Sequence, residues 1–165
     1  PFCRFGPVDV FAETKVKSAL MQRIPYCFGE QRYTGVPDIR IRTTDGLHPF
    51  FINNTKVIPI RVMHFKLPIL GFRINNVAYL TDVKYLPDEE LSKLAALDIL
   101  IVSALRKEKH PSHQTLEEAL SLAKKIGAEQ TYFTHMSHQI GLHKAISKDL
   151  PSSFTLAYDG LELSL

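Results

Sequence analysis

Cysteine is scarce: the chain of 165 residues has two, Cys3 and Cys27, and neither sits in a C-x-x-C pair. That excludes a disulfide framework and makes a reducing, cytoplasmic setting the expectation. Long apolar runs are missing. None approaches the ~18 residues a membrane span needs, so no membrane partner is expected. No signal-peptide pattern opens the chain. Charge of one sign is also missing. Lys and Arg total 20 against 17 for Asp and Glu, a net charge of +3 with no basic run of five. This weak bias neither demands nor excludes a nucleic-acid partner, and it writes no polyphosphate groove into the sequence. Internal repeats and low-complexity segments are absent. So is an initiating Met, and a strand-like run already begins at Val8. The chain is therefore expected to start inside a longer protein.

What is present suits a globular fold. Hydrophobic residues are 45% and charged residues 22% of the chain, which argues against disorder, a coiled coil or collagen. Val8 to Phe11 reads as a short strand. Glu13 to Ile24 reads as a helix with Val16, Ala19, Leu20 and Arg23 on one face, stopped by Pro25. Tyr26 to Pro37 reads as an irregular loop or lid. From Ile39 the period is two, and turn signals at Asp45-Gly46, Asn53-Asn54 and Asn75-Asn76 punctuate strand candidates at Lys56–His64, Ile69–Ile74 and Val77–Thr81, an antiparallel meander. After Pro87, three acidic residues suit a helix N-terminus. Leu97 to Leu105, polar only at Asp98 and Ser103, has the apolar character of a strand buried on both faces. Thr115-Leu-Glu-Glu118 matches a capping box that opens a helix ending near Gly127. Gln130–Thr134 is a strand, Leu142–Asp149 a short helix, and Phe154–Ala157 and Leu161–Leu165 the last strands. The class is α/β, or α+β with mixed sheets.

Five of the seven histidines fall between His110 and His143. His64, Asp82 and His135 close predicted strands, and His113 lies in the loop after the apolar strand. Ligands on several strand ends can converge on one rim of a sheet. Imidazole and carboxylate are natural ligands for zinc, manganese or iron. Spacing alone leaves plainer roles open. Asp82 can be a helix N-cap, a single strand-end His can be structural, His110 and His113 can be solvated loop residues, and His135 with His138 can flank a helix start.

The segments Val62-Met-His-Phe-Lys66, Ala78-Tyr-Leu-Thr-Asp82, His110-Pro-Ser-His-Gln-Thr-Leu-Glu-Glu-Ala119, Phe133-Thr-His-Met-Ser-His138 and Ala157-Tyr-Asp-Gly160 occur in that order. Together they resemble the C-terminal portion of the metallo-β-lactamase superfamily, closest to the branch of the phosphoribosyl cyclic-phosphate phosphodiesterases. The resemblance runs through nearly the whole chain, Gly6–Ala12 and Tyr26–Gly29 included. It implies an αββα sandwich with a two-metal site, holding zinc or manganese. By this resemblance His64 ligates one metal, Asp82 bridges both and His135 ligates the other. His113 stands near the substrate phosphate as general acid or transition-state donor. His138 orients His135 from behind, and Lys66 and Ser137 contact the phosphate side.

The family's leading His-x-His-x-Asp-His run is nowhere in this sequence. Residues 1–165 are accordingly expected to be the C-terminal portion of one such domain, lacking its N-terminal strands, with metal content reduced or absent. Such a piece is expected to self-associate or to pair with the missing N-terminal segment. The expected activity of the complete protein is metal-dependent hydrolysis of small cyclic or diester phosphates, with this chain inactive or weakly active. A ribonuclease Z-like nuclease, a thioester or lactone hydrolase, and a non-catalytic binding module are the competing readings.

Overall fold

The computed structural model describes residues 6–28 and 35–164. Residues 29–34, half of the expected Tyr26–Pro37 loop, and Cys3 lie outside them. The chain divides into two compact units, Pro1–His48 and Pro49–Leu165.

In the first unit, β1 (Val8–Ala12) and β2 (Ile39–Thr43) pair in parallel, from Val8 opposite Ile39 to Ala12 opposite Thr43. Parallel strands cannot be joined by a tight turn. The connection here includes α1 (Thr14–Arg23), one residue shorter at each end than its sequence pattern, with a 3-10 turn at Pro25–Cys27 beyond it. The Asp9 carboxylate spans Arg40 and Arg42 across the pair. The Arg40 hydrogen bond is the main reason that carboxyl lies below its ordinary range.

The second unit is built on a seven-stranded sheet in simple chain order. β3 (Phe50–Ile52), β4 (Thr55–His64), β5 (Leu67–Ile74) and β6 (Val77–Leu80) form the antiparallel meander. β7 (Ile99–Ser103), β8 (Gln130–Thr134) and β9 (Phe154–Leu156) extend it in parallel. Two-residue turns suffice for the meander. The parallel half needs crossovers, which carry a 3-10 helix (Asp88–Leu94), α2 (Leu116–Ile126) and α3 (His143–Asp149). The acidic stretch after Pro87 thus winds as a tight 3-10 helix, and the apolar stretch from Leu97 pairs only over Ile99–Ser103. The expected strand at Leu161–Leu165 does not form over residues 161–164. Its alternation supplies a face, but among the described residues no neighbouring strand supplies a ladder, and the Leu161 N–H turns back to the Tyr158 carbonyl.

One sheet face makes the core. Leu80, Val102, Phe133 and Leu156 are successive cross-strand neighbours and are almost wholly buried. Ile60 and Gly71, opposite each other on β4 and β5, continue the row. Gly71 is required there, because a Cβ would stand 2.5 Å from Leu80 Cδ2 and 2.9 Å from the Tyr79 carbonyl oxygen. The small side chains of Ala119 and Ala123 are the buried residues of α2 beyond its first. The capping box holds its start, with the Glu118 N–H donating to Thr115 Oγ1 at 3.1 Å and the Thr115 N–H to Glu118 Oε2 at 2.8 Å. Gly127 closes it at φ 74°.

Candidate metal centre

Strand direction decides where the histidines meet. β4 and β6 both run antiparallel to β5, and β7 and β8 run parallel to β6. The C-terminal ends of β4, β6, β7 and β8 therefore share one sheet edge. His64 is the last residue of β4, Asp82 follows β6 by two residues, and His135 follows β8 by one. His113 reaches the same edge from the β7–α2 loop. That loop is sewn to the segment after β6: the Gln114 N–H donates to the Val83 carbonyl, the Leu105 N–H to the Gln114 carbonyl, and the Val83 N–H to the buried Ser103 hydroxyl. The Met63 N–H donates to the Tyr85 carbonyl at 2.8 Å, which ties the Asp82 segment to the His64 strand as well.

The four side chains converge. His64 Nε2 lies 3.3 Å from His113 Nε2. Asp82 Oδ1 lies 3.6 Å from His113 Nδ1 and 3.4 Å from His135 Nε2. The rings of His113 and His135 stack at 5.0 Å. His64, Asp82 and His113 each offer a ligand atom within 4.8 Å of the others, while His135 joins the cluster through Asp82. Asp82 and His135 both leave their strands in the left-handed region, at φ 57° and 61°. Asp and His are among the residues that tolerate it. Sparsely populated backbone of this kind concentrates at functional sites.

The electrostatics suit a cation. His113 Nδ1 is buried without a hydrogen-bond partner. Burial first, then the neighbouring His64 and His135, lower the His113 pKa, with Asp82 acting in the opposite direction. Three imidazoles with little competing hydrogen bonding and one carboxylate are the donor chemistry of zinc or manganese. The residues present therefore fit a divalent metal.

Of the remaining sequence candidates, Ser137 and Lys66 have other partners. Ser137 caps the 3-10 turn His138–Ile140, its hydroxyl accepting from the Gln139 N–H. His138 is exposed at the start of that turn, and no hydrogen bond joins it to His135. Lys66 places its ammonium over the Phe65 ring. The structure adds His110, whose ring lies 5.0 Å from that of His113 and whose Nδ1 accepts from the Ser112 N–H at 3.3 Å. The His-Pro-Ser-His spacing was the available signal, but as a polar loop it read equally well as solvated.

Residues 3–136 match a family model described as the beta-lactamase superfamily domain. The chain is similar to a Porphyromonas gingivalis protein named octanoyltransferase, 35% identical over 161 residues, covering 97% of this chain and 33% of that protein. Among solved structures it resembles a diphosphatase from the PhnP family, with 35% identity and a TM-score of 0.86, covering 94% of this chain and 57% of that one. Zinc-bound PqqB from Methylobacterium extorquens (TM-score 0.73, 13% identity, covering 96% and 65%) and the short form of human tRNase Z (0.69, 16%, covering 99% and 70%) share the fold. The chain spans about a third of the curated relative and little more than half of the diphosphatase.

Proposed function

The chain belongs to the metallo-β-lactamase superfamily, a superfamily of metal-dependent hydrolases, and from that premise we propose that its sheet-edge cluster serves hydrolysis of small cyclic or diester phosphates in the cytoplasm. The convergence of His64, Asp82, His113 and His135 on one edge carries the reading. The likeness to a diphosphatase at 35% identity supports phosphate over other substrates of the fold.

His64, Asp82 and His135 would hold the metal, zinc or manganese, with His113 close enough to His64 and Asp82 to face the same ion. When bound, such a metal supplies a water of lowered pKa and neutralises charge on phosphoryl oxygens. The Asp82 carboxylate lies between two imidazoles and fixes their orientation. His113, kept largely neutral at pH 7 by its lowered pKa, offers an N–H to a phosphoryl or leaving oxygen. A neutral imidazole donates from one nitrogen and accepts at the other, so it can pass a proton without carrying charge beforehand.

The activity is proposed for the complete protein that carries these residues, with residues 1–165 alone inactive or weakly active, so the test is made on the complete protein: hydrolysis of bis(p-nitrophenyl) phosphate with added zinc or manganese, beside Asp82→Asn and His135→Ala, with metal content and melting temperature measured on each. The wild-type protein is expected to bind metal and to gain melting temperature from it. A ligand present at about 100 times its Kd adds ~2.7 kcal/mol of stability. Both variants are expected to lose most of that gain and roughly 100-fold in rate, the upper end of the ~10–100-fold typical of losing a group that only orients a metal ligand. Equal activity and equal metal content in the variants would overturn the ligand assignment.

A second reading, hydrolysis of an acyl thioester, draws on the name of the octanoyltransferase relative. An octanoyl thioester in the same assay separates the two, because the better substrate identifies the electrophile the site accepts.

A further inference from the structure

The hairpin that carries His64 departs from its two neighbours. The β3–β4, β4–β5 and β5–β6 connections are each two residues long: Asn53-Asn54, Phe65-Lys66 and Asn75-Asn76. In each, the first residue is left-handed, with φ of 52° at Asn53, 57° at Phe65 and 52° at Asn75. Asn tolerates that conformation because its short polar side chain can hydrogen-bond locally. A bulky aromatic residue is an outlier there. Nothing in the packing calls for it, since Phe65 is 57% exposed and lies outside the core. A strained aromatic residue in water, directly after a metal-ligand candidate, points to a contact made outside the fold.

Its surroundings say what kind. The Lys66 ammonium stands 5.5 Å from the Phe65 ring centroid. Leu67 is 58% exposed and pairs directly opposite His64, so their side chains share a side of the sheet. Beside His64, then, come an aromatic face, a positive charge and an apolar side chain, none of them buried. We propose that Phe65 is a specificity-determining residue that stacks on a planar aromatic group of the substrate, so that the phosphate esters the site accepts are those of the nucleotide class, carrying a base or an equivalent ring near the phosphate. Lys66 supplies the opposing charge for that phosphate. The inference rests on the phosphate-ester reading.

Adenosine 5′-monophosphate and ribose 5-phosphate share the phosphate and the ribose and differ at C1′, adenine against a free anomeric hydroxyl, so calorimetric binding of each to the zinc-supplemented full chain reads chiefly the contribution of the base. The wild type is expected to prefer the nucleotide about tenfold, within the range of base–aromatic stacking. Phe65→Asn, which installs the residue of the two sister turns, is expected to raise the melting temperature. It should also bring the two affinities within about twofold by weakening the nucleotide alone. Phe65→Tyr is expected to keep the preference. A preference that survives Phe65→Asn, or wild-type protein that binds ribose 5-phosphate as tightly as the nucleotide, overturns the inference while leaving the phosphate reading standing. Wild-type protein that binds neither compound overturns both.

Discussion

At the scale of single residues, the candidate site is a set of strand-end side chains whose identities are visible in the sequence and whose directions are not. Asp82 and His135 reach the common edge because each takes a left-handed backbone just past its strand, and neither spacing nor residue type requires that of them. His113 is the converse case, a loop histidine that the sequence leaves indistinguishable from a solvated one. Its burial comes from backbone bonds at its neighbour Gln114 that tie the loop to Val83 and Leu105. Glu118 shows how one carboxylate couples a local device to stability. Burial acts to raise its pKa, but the Thr115 N–H and the Lys84 ammonium, 3.0 Å away, outweigh it and hold the carboxyl below the ordinary 4.5. A group with a depressed folded-state pKa stabilises above its unfolded value and loses that contribution as pH falls through the folded one. Glu118→Gln is therefore expected to lower the melting temperature most near neutral pH. The gap to wild type should narrow progressively below pH 4.5. Thermal melts across pH 3–7 check this, and a gap independent of pH would contradict it.

At the scale of elements, the strongest sequence signals were those with a local cause. The capping box fixed the start of α2 at Thr115 with both reciprocal hydrogen bonds formed, and Gly127 fixed its end. The Asn-Asn pairs marked two of the three meander turns. Signals without a local cause fared less well. The alternation at Leu161–Leu165 resembles a strand, yet a strand exists only where another chain segment pairs with it. The largely apolar stretch from Leu97 to Leu105, broken by Asp98 and Ser103, is longer than β7, because the stretch records burial and the strand records pairing. Gly71 belongs to this scale too. The structure makes it a contact surface for Leu80 and the Tyr79 carbonyl. Gly71→Ala is expected to destabilise by ~1–3 kcal/mol through overpacking. Urea unfolding should show a lower midpoint at unchanged slope.

At the scale of the whole molecule, the core and the candidate site use different aspects of one sheet. The face bearing Leu80, Val102, Phe133 and Leu156 is sealed, and the edge at the strand C-termini is left open for the polar cluster. Phe133 is central to the first, fully buried and stacked on Phe154 at 6.0 Å between centroids. Phe133→Ala is expected to cost ~3–5 kcal/mol, the usual loss for emptying a buried aromatic site. His135, exposed one residue past the end of β8, should be removable at little cost in stability measured without metal. Denaturant unfolding of both variants in chelator checks the contrast. By itself, the sequence determined the secondary-structure period of most segments, the caps and turns between them, and the order of the motifs that mark the superfamily. These depend on neighbours within a few residues, or on residue identity alone. Only the tertiary structure decided that β4, β6, β7 and β8 end on the same side and that His113 stands between His64 and His135. It also decided that Phe65 is strained and exposed. Those facts depend on strand direction, ladder pairing and packing between residues tens of positions apart, and no local pattern encodes them.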